Sequence, residues 1–470
     1  MTSLPKCSNT IDSRLLEDIR AGSCVAFVGA GFSAAAGLPS WPSLLRTLAA
    51  AIPAGAANDA QPTLDRLLDA QTGVSNRELE MAAQLLFDAL GADRCRALLR
   101  EALKKEPLPD VMQLRLKHLF GIPFRAIVTT NFDPLIAGVP PDPAAYRRLL
   151  RAPRYSPWRE AIARAALGLR SAAPTADAPD RPVIQLHGTL NDEETIVFTR
   201  AQYRRRLYAN PAYLTVLRAL LATSSVLFLG YSLKDAYLNE LRAELVEALQ
   251  GGEGRGGAGD AARPLAWAVL EDISDVARAY YEKHEGLGVL AYRTANEGRD
   301  HSGFDRLLAQ IYAETNPIHR LGQLLKGRRL MWFDPSPANN ELGRRLLTEA
   351  VRDVEGTGVG PGNDVLLDVA DLAEAIRRLD EAPPFDLVIS HWGHGLGPDG
   401  SPNGEALLRA AAARRAQGKG TAPIVIFGGP DFAAENRHRA LGLGAFAFTA
   451  EWQALMGAIE RVLGDARPAP

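Results

Sequence analysis

The sequence predicts an α/β protein of two successive parallel-sheet domains. Three observations carry this: apolar runs that alternate with helical patterns, one strand-free helical stretch near the N-terminus, and a second series of strand–helix pairs near the C-terminus. The first series is VAFV (25–28), RAIVT (125–129), PVIQL (182–186), TIVF (195–198), SVLFL (225–229), LAWAVL (265–270) and GVLAY (288–292). Short apolar strands separated by helices build a largely parallel sheet. From about 55 to 120, LDRLLDA, ELEMAAQLLFDAL and CRALLREALKK space their apolar residues at three to four, so this stretch reads as a helical insertion. Beyond Gly327, RLMWF (329–333), DVLLD (364–368), FDLVIS (385–390), PIVIF (423–427) and AFAF (445–448) each precede a helical pattern. Five such pairs complete a small doubly wound domain. The expected boundaries are 1–320 and 327–470, and the 470 residues suit two or three domains by length.

Bulk composition narrows the classes. Hydrophobic residues make up 47% and charged residues 23%, as in ordinary globular proteins. A net charge of −2 gives no general attraction to nucleic acid or anionic lipid. The arginine runs YRRR (203–206) and RRLLRAPR (147–154) are expected to be solvated faces, and no direct nucleic-acid contact is expected. Cys7, Cys24 and Cys95 form no CxxC pair, so neither a disulfide framework nor a zinc site is expected. No run approaches a membrane span, and the first residues lack the apolar core of a secretion signal. The cytoplasm is the expected compartment. GGEGRGGAGDAARP (251–264) reads as a glycine-rich loop.

The first strand ends in GAGFS. Gly29 and Gly31 permit close backbone approach, and the helix start behind them offers unpaired N–H groups to an anion. The spacing is not G-x-G-x-x-G, since the next glycine is Gly37, and no Walker lysine follows. The turn therefore holds either a phosphate or only a sharp corner of chain.

Three further strand ends are polar. TTNFD places Thr130, Asn131 and Asp133 after the second strand, LHGTL places His187 and Gly188 after the third, and GYSLKD places Gly230, Ser232 and Asp235 after SVLFL. Each has a plain reading: Asn131, Asp133, Ser232 and Asp235 as helix caps, His187 as a structural histidine. Taken together they converge, because ligands of open α/β sheets sit beyond the carboxyl ends of the strands.

The set GAGFS, GLPSW, TTNFD, LHG and GYSLKD resembles the sirtuin (SIR2) superfamily, especially the SIR2-like domains of bacterial anti-phage defence proteins, over roughly 15–315. The resemblance implies a Rossmann-like parallel-sheet domain with a helical insertion and a site for NAD as substrate. By that analogy Gly29, Ala30, Gly31 and Ser33 line the phosphate loop. Asn131 orients the nicotinamide ribose and a water, and Asp133 meets the carboxamide. His187 is the general base. Gly230 and Ser232 contact the phosphate and adenosine-ribose side, with Thr130 and Asp235 among the cofactor-contacting residues. Asn131 is expected to face the ligand, so that its truncation leaves folding nearly intact. Two departures weigh against protein deacylation: three scattered cysteines cannot build the four-cysteine zinc module of deacylases, and GLPSW lacks the acidic residue and arginine after the proline. Cleavage of NAD by water to ADP-ribose and nicotinamide is the favoured chemistry, with no metal expected. NAD-dependent lysine deacylation and non-catalytic nucleotide sensing stay open.

The C-terminal segment resembles a response-regulator receiver, a five-stranded flavodoxin-like fold, with its chemistry missing. Asp334 is a single acid after the first strand, Ser390 and His391 stand where the phospho-acceptor belongs, and Glu451 is not the expected lysine. His391 and His394 alone are a weak metal set. A pseudo-receiver that sets a homo-oligomer, under a phage or partner-protein trigger, is the expectation.

Overall fold

The strand β1 (Cys24–Val28) shows how the first sheet forms. All five residues are buried. Cys24, Ala26 and Val28 join the core on one face, and Val25 and Phe27 join it on the other. Strands buried on both faces are the rule in parallel sheets, which is why this run shows no polar alternation.

This computed structural model describes residues 11–53, 61–68, 76–104, 107–138, 162, 181–209, 211–231, 264, 266–296, 300–355, 365–393 and 400–465. Ser232, Asp235, His394, the run 147–154 and most of 251–264 lie outside the described residues. The chain divides into two compact units, Met1–Tyr155 with Ala173–Thr315, and Ser156–Ala172 with Asn316–Pro470.

In the first unit β1 is joined by β2 (Ala126–Thr129), β3 (Val183–Gln185), β4 (Ser225–Leu229), β5 (Ala266–Glu271) and β6 (Leu287–Tyr292). Every pair is parallel, in the order β3-β2-β1-β4-β5-β6. The chain winds outward from β1 to β3, then returns to place β4 on the other flank of β1. This is the dinucleotide-binding order, and its switch point lies between β1 and β4.

The insertion is helical, with helices Gln61–Leu67, Asn76–Leu90, Ala92–Leu103 and Asp110–Gly121. On the second of these, Leu79, Ala82, Ala83 and Leu86 form a buried stripe at helical spacing. The run TIVF is not a strand. Glu193–Thr195 is a 3₁₀ turn, and Ile196, Val197 and Phe198 are buried without belonging to a strand. Their apolar character serves packing, and the Val197 N–H donates to the His187 carbonyl at 2.8 Å. Arg204 and Arg205 of the YRRR run are exposed on the helix Arg200–Ala209.

The second unit holds β7 (Leu330–Phe333), β8 (Leu366–Val369), β9 (Leu387–His391), β10 (Ile424–Phe427) and β11 (Ala447–Thr449). They form a parallel sheet in the order β11-β10-β9-β7-β8, the flavodoxin-like arrangement. The helix Pro317–Leu325 belongs to this unit: Leu321 and Leu325 are fully buried in its core. Asp334 is buried after β7, where its Oδ1 accepts from the Ser336 N–H at 2.8 Å. Ser390 is buried on β9, and its hydroxyl donates to the His391 carbonyl at 2.9 Å.

Candidate active site

Sheet register aligns the polar strand ends. Val28 pairs with Thr129 and with Leu229, and Thr129 pairs with Gln185. Gly29, Thr130, Gly230 and Leu186 therefore leave the sheet at one level, with His187 one residue further on.

At the switch point two backbones touch. The Gly29 N–H donates to the Leu229 carbonyl at 3.0 Å, and the Gly31 N–H donates to the Gly230 carbonyl at 2.9 Å. A β-carbon at Gly29 would lie 2.6 Å from the Gly230 oxygen, and one at Gly31 would lie 2.9 Å from it. Gly230 itself has φ +60°, and a β-carbon there would lie 2.2 Å from the Phe32 nitrogen. The glycines of GAGFS thus make a tight corner against the loop after β4, and two of the turn's N–H groups are engaged in it. Ala30 and Gly31 remain exposed on the turn, whereas Ser33 is buried.

Asn131 closes the turn from the β2 side. It is only 6% exposed, and its Nδ2 donates to the Gly29 carbonyl at 3.2 Å and to Ser33 Oγ at 3.0 Å. Its own N–H donates to Thr129 Oγ1 at 3.1 Å, while that hydroxyl donates to the Val28 carbonyl at 2.9 Å. The expectation that truncating Asn131 leaves folding nearly intact is corrected here: this amide is buried and part of the loop's framework. Thr130, half-buried, uses its N–H on the Val28 carbonyl at 3.4 Å.

Asp133 is buried beside this framework. Its Oδ1 accepts from the Leu135 N–H at 3.2 Å, the local capping role, and its carbonyl accepts from Gln185 Nε2 at 3.4 Å. Burial raises the carboxyl above its ordinary range, against hydrogen bonds from Ser33, Leu135 and Asn131 that favour the anion. An acid with a raised folded pKa binds more protons folded than unfolded. Its contribution is then most favourable below the ordinary carboxylate value and is lost as pH rises through the folded one. Asp133→Asn is therefore expected to raise Tm at neutral pH, with the gain shrinking as pH falls toward about 4. Thermal unfolding across that range checks it; a gain independent of pH would contradict the assignment.

His187 follows β3 and is half-buried. Its ring lies edge-on to Tyr203, centroids 5.5 Å apart, and 6.4 Å from Phe132, the residue next to Asn131. Trp41 packs on Phe132 at 6.2 Å and on Phe198 at 5.2 Å. The GLPSW segment explains how Trp41 arrives there. Gly37, at φ +72°, ends the 3₁₀ turn Ala34–Ala36, and Ser40 caps the helix Trp41–Ala49 through the Ser43 N–H. After His187, Gly188 takes φ +85°, and a β-carbon there would lie 2.1 Å from the Thr195 oxygen.

Residues 125–290 match the SIR2-like domain family. That segment is similar to a SIR2-like domain. A curated relative, NAD(+) hydrolase ThsA of Enterococcus faecium, is 26% identical over 237 residues, 49% of this chain and 42% of that protein. The chain thus spans about two fifths of the relative's length. The family match starts one residue before β2, so the glycine turn is joined to the SIR2-like segment by the sheet register and by Asn131.

Residues that the motifs do not include also border the candidate site. Phe132 and Tyr203 flank His187, and Trp41 packs on Phe132. Arg115, buried on the helix Asp110–Gly121, donates to the Phe32 carbonyl at 2.9 Å. An arginine inside an otherwise apolar-periodic helix is the one sequence signal for the last. Among the described residues no group of three or more His, Cys, Asp or Glu side chains is arranged to hold a metal ion. Burial pushes the Cys95 thiol up to about 11 and holds the Cys24 thiol well above its ordinary range.

Proposed function

We propose that the SIR2-like unit hydrolyses NAD to ADP-ribose and nicotinamide. The observation that carries this is Asn131, held at the switch point by the Gly29 carbonyl and Ser33 Oγ, one residue from the ring that packs on His187. The SIR2-like match and the hydrolase relative support the same reading. The nicotinamide ribose would lie against this corner. Its glycosidic bond breaks toward an oxocarbenium-like state, with nicotinamide leaving as a neutral molecule. Water then bonds to the anomeric carbon, and His187 takes the proton released, from the water itself or from a ribose hydroxyl. Asn131 has no useful pKa and acts by position. Asp133 would meet the carboxamide, and Ala30, Gly31, Ser33, Thr130, Gly230 and Ser232 the phosphates and second ribose, with Asp235 nearby.

By its sequence resemblance the biological role is NAD depletion in anti-phage defence, with the second unit acting as a pseudo-receiver that sets assembly and restraint. The test of the chemistry is nicotinamide release by the purified full chain. Release from NAD alone supports hydrolysis, release only with an acylated peptide supports deacylation, and binding without turnover supports a sensor. His187→Ala is expected to lower turnover about 10²–10⁴-fold while retaining NAD affinity. Lower Tm with unchanged activity per folded molecule would leave His187 a structural residue.

A further inference from the structure

We propose that Arg115 is a positioning residue that clamps the Gly29–Ser33 turn in its working shape, a role that rests on reading that turn as part of the NAD site. The turn is fastened on its N–H side by the β4 loop, through Gly29 and Gly31. Its carbonyl side is fastened differently. Arg115 Nη1 donates to the Phe32 carbonyl at 2.9 Å and reaches the Gly31 carbonyl at 3.5 Å. The other edge of the same guanidinium pairs with Asp305: Nε to Oδ1 at 2.5 Å and Nη2 to Oδ2 at 3.3 Å. The group also lies 4.7 Å from the Phe304 ring centroid.

The side chain is 5% exposed, so the charge is held almost wholly by these partners. Asp305 stands on the helix Ser302–Thr315. Both Arg115 and Asp305 lie outside the SIR2-like match at 125–290, yet they meet at the turn that the match does not contain. Arginine suits the task because its planar fork serves a carboxylate along one edge and carbonyls along the other. Lysine keeps the charge opposite Asp305 but is a point donor, unable to hold both sides in a fixed geometry. Because Asn131 bonds Gly29 and Ser33, any slack in the turn passes directly to Asn131.

The experiment compares the full-length wild type with Arg115→Lys. Hydrogen exchange is read at 29–33 and across β1–β4, with NAD affinity by calorimetry and KM and kcat by nicotinamide release. A clamp predicts faster exchange confined to the turn, weaker NAD binding, and a loss in kcat/KM on the order of 10²-fold. Unchanged exchange in the turn would overturn it. So would faster exchange throughout the sheet with NAD affinity per folded molecule intact, the signature of a merely structural ion pair. If Arg115→Lys does not fold, the pair Arg115→Met with Asp305→Leu removes both charges and is read the same way. A wild type that neither binds nor cleaves NAD would overturn the NAD reading itself, and the exchange comparison decides the clamp independently.

Discussion

Asn131→Ala is expected to bring nicotinamide release to background, a loss of about 10⁴-fold or more, because the residue holds the turn and, in the proposed mechanism, the reacting sugar. The substitution also has a structural cost. It removes one of two donors to the buried Gly29 carbonyl, which keeps the Phe32 N–H at 3.0 Å, and the amide donor to Ser33 Oγ. Losing these two hydrogen bonds costs about 1–3 kcal/mol in all, or roughly 2–4 °C in Tm for each kcal/mol in a domain of this size. Activity must therefore be expressed per folded molecule, with the folded fraction measured by thermal unfolding at the assay temperature. Asn131→Asp provides a second arm: it keeps side-chain size but replaces the Nδ2 donor with an acceptor facing the Gly29 carbonyl. Full activity per folded molecule in both variants would remove Asn131 from the chemistry.

The fold is legible because parallel strands buried on both faces write themselves as unbroken apolar runs. VAFV and LMWF are such runs, and both are central strands. The same rule misreads TIVF, since an apolar run says that residues are buried and not what their backbones pair with. Sequence spacing locates the polar strand ends but not their division of labour. GAGFS alone is open between anion cradle and sharp corner. Its glycines make the corner, which only the register of β1 against β4 reveals. The structural work of Asn131 is hidden in the sequence because its partners, Gly29 and Ser33, stand 102 and 98 positions away in the chain. Arg115 and Asp305 are separated by 190 positions, and no local pattern announces such a pair. Trp41 stands out in the sequence only as a departure from a motif, whereas its ring forms part of the wall beside Phe132.

Gly230→Ala tests the corner itself. Two costs combine at this position. The left-handed φ of +60° penalises any L residue by about 1–2 kcal/mol. The added methyl would also sit 2.2 Å from the Phe32 nitrogen, and the next nearest atoms belong to the backbone of Gly31 and Phe32, which cannot rotate away as a side chain can. Gly37 separates the two terms, since it has φ +72° with nothing within 4 Å of where a methyl would stand. Gly37→Ala should show the dihedral cost alone. Gly230→Ala should lose at least about 3 kcal/mol, seen as a Tm lower by roughly 6–12 °C. NAD cleavage should vanish even in the folded fraction, because the GAGFS turn can no longer seat against β4 and carries Asn131 with it. Equal losses of stability in the two variants would mean that the β1 and β4 loops do not touch as described, and the switch-point site would have to be rebuilt from other residues.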